Sequence, residues 1–208
     1  MKGVFITFEG IEGSGKSTQI ARLRAFLESH NQPVIETREP GGTPISESIR
    51  ALLLNPAHSA MVPITELLLY AAARAQHVAE RITPALEAGY VVLSDRFSDS
   101  TLAYQQAGRS LPAEAIEGIN NWATGGLCPE LTIVIDVPVE MGLRRALNVG
   151  ELDRIEQESR EFHERVRQAF IDLAEHDSER IHVIDGTLPA DEVEKAIREL
   201  VAPLLELP

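Results

Sequence analysis

Short apolar runs alternate along this chain with longer segments in which apolar residues recur at helical spacing. Val4-Phe5-Ile6-Thr7-Phe8 reads as a buried strand, and Lys16 to Ser29 reads as a helix. Pro33 to Thr37 predicts a second strand and Ile45 to Leu54 a second helix. Ile64 to about Ala88 predicts one long helix, and Tyr90-Val91-Val92-Leu93 the third strand. Leu131 to Val137 (LTIVIDV) is the fourth and most apolar strand, Ile181 to Ile184 the fifth, and Asp191 to about Leu205 a closing helix. Strands of this kind, joined by helical crossovers, imply a parallel sheet with helices covering both faces. Ligands then belong at the carboxyl ends of the strands. No repeat, low-complexity tract or linker interrupts the pattern, so residues 1–208 read as a single α/β domain.

Composition narrows the picture a little. Of 208 residues, 44% are hydrophobic and 25% charged, as in a soluble globular protein. Nineteen basic residues stand against 32 acidic ones, a formal charge of −13. That balance argues against a nucleic-acid groove, which needs a concentrated basic face. An anionic ligand remains compatible if the few cations converge. The single Cys128 excludes an internal disulfide and a cysteine-based zinc cluster. No signal-peptide pattern opens the chain, and no run approaches the roughly 20 apolar residues of a membrane span. A cytoplasmic protein with no membrane partner is the expectation.

The chemistry begins at Gly10-Ile11-Glu12-Gly13-Ser14-Gly15-Lys16-Ser17. This string satisfies G-x-x-x-x-G-K-[ST] and lies between a predicted strand and a predicted helix. Its glycines let backbone N–H groups turn inward as an anion-binding nest at a helix N-terminus. Lys16 is then placed for the outer phosphates of a nucleoside triphosphate, and the Ser17 hydroxyl for Mg2+. The loop alone does not select among GTPases, motor ATPases and small-molecule kinases. The absence of a guanine-reading Asn-Lys-x-Asp string lowers the first of these.

Arginines mark the second site. Arg38 follows the second strand and Arg96 the third, while Arg74 lies on the long helix. Converging cations suit phosphate contact, because the charge of a phosphoryl group repels an anionic attacker. Asp95 ends the third strand as a metal-holding carboxylate would; Asp136, ending the fourth, is its rival. Tyr70, Arg74 and His77 fall at i, i+4 and i+7, and Thr101, Tyr104 and Gln105 at i, i+3 and i+4. Each set offers a ring to stack and polar groups to read a base edge. Aromatic residues at helical spacing are as often plain core.

Taken in order, the motifs resemble those of the bacterial thymidylate kinase family almost end to end. They are Glu9 to Thr18, Thr37-Arg38-Glu39-Pro40-Gly41-Gly42-Thr43, Tyr70 to Arg74, Asp95-Arg96-Phe97 with Ser100-Thr101, Ala103-Tyr104-Gln105, and Glu151 to Glu156. The resemblance implies a P-loop NTPase fold: a five-stranded parallel sheet covered on both faces, with a short lid at about 144–156. It implies transfer of the γ-phosphoryl of ATP to dTMP, with Mg2+, in dTTP synthesis, by a homodimer joined through long helices. Gly10, Ile11, Glu12, Gly13, Ser14, Gly15, Lys16, Ser17 and Thr18 would hold ATP. Ser17 and Asp95 would hold the metal. Arg38 and Arg96 would hold the acceptor phosphate, Tyr70 would stack on the base, and Arg74 would hydrogen-bond it. Ser100, Thr101 and Gln105 would line the base, Tyr104 would crowd the sugar's 2′ side, and Glu12 would lie near that sugar.

The lid departs from the family pattern. Family members with an acidic residue inside the loop, as Glu12 is here, usually carry several lid arginines. Here Leu147 and Val149 stand where arginine is common, leaving Arg144, Arg145 and Arg154. Arg145 or Arg154 is expected to supply the catalytic charge beside Lys16 and Arg96. Arg144 fits equally an i,i+4 surface pair with Glu140. Gly150 reads as a hinge, and Asp153 with Glu156 as a capping box opening the next helix.

Overall fold

The computed structural model describes residues 3–148 and 151–207. Val149 and the expected hinge Gly150 lie outside the described residues. Five strands, β1 (Val4–Glu9), β2 (Val34–Arg38), β3 (Val91–Asp95), β4 (Leu131–Asp136) and β5 (Ile181–Asp185), form one sheet ordered β2-β3-β1-β4-β5. Every pairing is parallel. The central strands alternate between two buried faces, which is why they read as unbroken apolar runs. Ile6, Phe8, Val91, Leu93, Ile133 and Ile135 face one side; Phe5, Val92 and Val134 face the other.

Helices in chain order are α1 (Lys16–Ser29), α2 (Pro44–Leu54), α3 (Pro63–His77), α4 (Thr83–Glu87), α5 (Ser98–Thr101), α6 (Ala113–Thr124), α7 (Val139–Leu147), α8 (Arg160–His176) and α9 (Ala190–Leu204). Helices α1 and α9 cover the first face through Ile20, Leu23, Leu27, Val193, Ile197 and Val201. On the second face, α8 packs Phe162, Val166 and Phe170 against Val134, while Val78, Ile82 and Leu86 cover Phe5 and Val92.

The long helix expected from Ile64 to Ala88 is interrupted. A π-helical segment, Val78–Ile82, separates α3 from α4. Pro84 follows it, and its ring and missing N–H are poorly tolerated in a straight α-helical interior. A second π segment, Leu102–Gly108, continues α5. The Asp153–Glu156 box forms as expected, with Glu156 N–H donating to Asp153 Oδ1 and Asp153 N–H to Glu156 Oε2, each at 2.9 Å. It closes an isolated turn; α8 itself starts later, capped by the Ser159 hydroxyl accepting from Phe162 N–H. Among the described residues, no helix is long and apolar enough to cross a membrane.

Candidate active site

The loop joining β1 to α1 turns at Gly10, Gly13 and Gly15, all at positive φ. Gly13 allows the closest approach. A Cβ there would collide with the carbonyl oxygen of Gly142 on α7, so α7 rests directly on the loop. Lys16 folds back over this loop, donating to the carbonyls of Gly10 at 3.2 Å and Ile11 at 2.9 Å. Burial, with Arg96 nearby, lowers its ammonium pKa to about 8. Ser17 opens α1 on the solvent side, and its hydroxyl donates to Asp95 Oδ2 at 3.3 Å. The rival Asp136 is engaged elsewhere, held by Arg167 through two bonds of 2.7 and 2.8 Å. Ser17 and Asp95 offer hard oxygen donors, the chemistry that suits Mg2+.

Beyond Lys16 a cavity opens between the carboxyl ends of β1, β2 and β3 and helix α3. Glu12, Gly13, Lys16, Arg38, Tyr70, Arg74, Asp95, Arg96, Ser100, Thr101, Tyr104 and Gln105 all line it, so most of the residues singled out in sequence meet here. Register explains part of this, because Phe8 pairs with Asp95 and Arg38 pairs with Asp95 across the sheet. Arg96 follows with a left-handed backbone, φ 73°, and its N–H donates to Phe8 O at 2.9 Å. Its guanidinium donates to Gly10 O at 2.9 Å, Ser100 Oγ at 3.2 Å and Glu12 Oε1 at 3.0 Å, and it lies 4.9 Å from the Tyr104 ring centroid. Burial alone would lower the Arg96 pKa and raise that of Glu12. Their pairing, with Tyr104 donating to Glu12 at 2.6 Å and Lys16 close by, reverses both directions.

Arg74 is buried, and four of its N–H groups are committed. Nε donates to Glu39 at 2.8 Å, Nη1 to Thr101 and Asn120 at 2.8 Å each, and Nη2 to Phe97 O at 3.0 Å. Of the five donors of a guanidinium, that leaves one for the cavity. Arg38 sits at the rim, paired with Glu47 at 3.1 Å. His77, expected on the same face as Tyr70 and Arg74, joins a buried network instead. Its Nδ1 lies 3.0 Å from Glu39 and its Nε2 2.6 Å from Thr37.

A family model described as thymidylate kinase matches residues 8–197. The chain belongs to the thymidylate kinase family. It is 52% identical over 202 residues to the thymidylate kinase of Symbiobacterium thermophilum, spanning 97% of this chain and 94% of that one. It is also 52% identical over 207 residues to that of Pseudomonas fluorescens, spanning 100% and 99%. A crystal structure of thymidylate kinase from Ehrlichia chaffeensis matches with a TM-score of 0.78 at 34% identity, over 97% of this chain and 99% of that one. The fold is therefore that of the P-loop NTPases.

Against this thymidylate kinase framework the lid cations separate. Arg145, in the last turn of α7, donates to Gly13 O at 3.4 Å, next to the phosphate loop. Arg154 is not brought to the cavity. It is 7% exposed, donates through Nε to Leu53 O at 2.7 Å, and lies 2.7 Å from Glu66. Glu140 pairs with Arg160 rather than Arg144. The cavity also holds Arg50, which no motif marks and which donates to Pro40 O at 2.8 Å, and Asp153, Ile155 and Glu156, which the sequence places in a lid motif and a capping box but not at the site. His163, behind Glu12 at 3.5 Å, is fully buried, and among the described residues neither ring nitrogen has a hydrogen-bond partner. No spacing in the sequence links α2 or α8 to the loop; only the packing of these helices does.

Proposed function

We propose that the protein transfers the γ-phosphoryl group of ATP to dTMP, giving ADP and dTDP on the route to dTTP, within the cytoplasm and as a homodimer. The observation that carries this reading is one cavity shared by the phosphate loop and the base-facing set Tyr70, Arg74, Thr101 and Gln105. An acceptor phosphate oxygen attacks the γ-phosphorus, and the bond to the β,γ-bridging oxygen breaks, leaving its electron pair on ADP. A phosphomonoester is already largely dianionic near neutral pH, with a second pKa of about 6, so no general base is required. Catalysis then rests on alignment and charge neutralisation.

In this reading, residues 10–18 cradle the triphosphate, with Lys16 on its outer phosphates. Ser17 and Asp95 would hold Mg2+, which supplies charge neutralisation on the phosphate oxygens when bound. Arg96 and Arg38 grip the acceptor phosphate, and Ser100, which bonds Arg96, keeps that guanidinium aimed. Tyr70 stacks on the base, the last donor of Arg74 and the hydroxyl of Thr101 meet its edge, and Gln105 meets its imide. Tyr104 and Glu12, joined at 2.6 Å, form the wall beside the sugar. The lid of this single domain, about residues 144–156, delivers Arg145 to the transferring group, whereas Arg154 anchors the lid.

The test is ADP release with ATP and dTMP, dUMP, dCMP or dGMP, comparing wild type with Lys16→Ala. Turnover should be strongest with dTMP and lost in the variant. A stronger response to another acceptor would refute the substrate assignment.

A further inference from the structure

Glu66 lies one helical turn before Tyr70 on α3, and its side chain is 1% exposed. It takes no part in the phosphoryl transfer described above, yet its carboxylate gathers three elements. Oε1 accepts from Gln105 Nε2 at 2.9 Å and Arg109 Nε at 3.1 Å. Oε2 accepts from Arg109 Nη2 at 2.9 Å and forms an ion pair with Arg154 Nη1 at 2.7 Å. Burial alone would raise the pKa of this carboxyl, but Arg109, Gln105 and Arg154 together hold it below its usual range.

The donors lead in two directions. Gln105 belongs to the cavity wall. Arg154 belongs to the lid; its own N–H donates to Leu54 O at 3.0 Å, and its neighbours Asp153 and Ile155 also line the cavity. Arg109 extends the same hub to Glu158, 2.6 Å away, beyond the lid turn. The bond from Gln105 Nε2 to Glu66 also fixes the sense of the amide. Its nitrogen is spent on the carboxylate, which leaves its oxygen to meet the acceptor base. An oxygen there accepts from the imide N–H of thymine or uracil, and it opposes the lone pair that cytosine carries at the same ring position.

We propose that Glu66 is a positioning residue that sets acceptor selectivity and lid placement together, by fixing the Gln105 amide and holding the Arg154 turn with one carboxylate. The proposal rests on the dTMP kinase reading above. It is tested by steady-state kinetics of wild type and Glu66→Gln with dTMP, dUMP and dCMP, alongside ATP affinity and thermal melting. The variant is expected to raise KM for dTMP and dUMP and to shrink the preference for dTMP over dCMP by about tenfold, the size of one misplaced hydrogen bond, with ATP affinity unchanged. The reciprocal double variant Glu66→Gln/Gln105→Glu restores a donor facing an acceptor and should recover part of that preference. If Glu66→Gln does not fold, Glu66→Asp is read instead, since it keeps every charge and withdraws the carboxylate by one methylene. A folded variant with the wild-type dTMP to dCMP ratio overturns the proposal. Wild-type inactivity on dTMP would overturn the parent reading, a separate result.

Discussion

Glu9, the last residue of β1, and Glu12, in the loop that follows, stand three residues apart and have opposite electrostatic fates. Glu9 is fully buried behind the loop, accepting from Phe97 N–H at 2.8 Å and from the Ser100 hydroxyl at 2.6 Å. Burial pushes its carboxyl up to about 7, with Arg96 opposing and Asp99 assisting. Glu12 faces Arg96 closely enough to stay ionised despite its burial. For Glu9 the folded pKa lies above the unfolded value of 4.5, so the folded state holds its proton more tightly. The resulting stability is fully present below pH 4.5 and is lost as pH rises through 7. Glu9→Gln keeps the acceptor for Phe97 and removes the titration. Chemical denaturation between pH 4 and 8 should show the variant gaining on wild type by about 3 kcal/mol across that window, with no further change above it. Equal slopes for the two proteins would mean that Glu9 is ionised in the fold at all these pH values. In sequence Glu9 is only the flank of a motif, because its hydrogen-bond partners Phe97 and Ser100 lie far along the chain.

At the scale of elements, the strands were legible and the helices only partly so. Residues buried on both faces leave apolar runs in sequence, and β1, β4 and β5 begin and end within a residue or two of expectation. The π segments were invisible, since a single wider turn hardly disturbs helical periodicity. The phosphate loop was legible because its backbone demands glycine at fixed positions. The lid was legible only as a set of cations: sequence counts Arg145 and Arg154 alike, and only folding shows which of them a buried acid has taken. That distinction is measurable. Arg145→Ala should lower kcat by about 10³, at the lower end of what a transition-state arginine contributes, while KM for dTMP stays close to wild type. Arg154→Ala should act differently, lowering the melting temperature and raising KM, because it leaves Glu66 short of a donor. Single-turnover rates with both substrates saturating separate the two. If Arg154→Ala gave the larger loss of transfer rate with an unchanged melting temperature, the assignments would be exchanged.

For the whole molecule, the question is what covers the outer side of α3 and α6. The inner side of α3 supplies Tyr70 and Arg74 to the cavity, while its outer side exposes Ile64 and Leu68, the latter 52% exposed. Beside it α6 presents Ile119 and Trp122, with Ala71, Ala75 and Gly118 forming a shallow groove between the helices. Trp122 is 89% exposed, and a tryptophan so placed is a frequent anchor of protein interfaces. A chain of net charge −13 repels its own copies, so association has to be driven by apolar area rather than by charge. Sedimentation should therefore report a wild-type dimer that tightens as salt screens the repulsion. Trp122→Glu should be a monomer at the same concentration, and added salt should not restore the dimer, because the lost contribution is hydrophobic. Because α3 carries Tyr70 and Arg74 of the acceptor side of the cavity, monomerisation should raise KM for dTMP more than KM for ATP, whose phosphates are held by the loop after β1. A dimeric Trp122→Glu would place the interface elsewhere and leave the exposed stripe without an occupant.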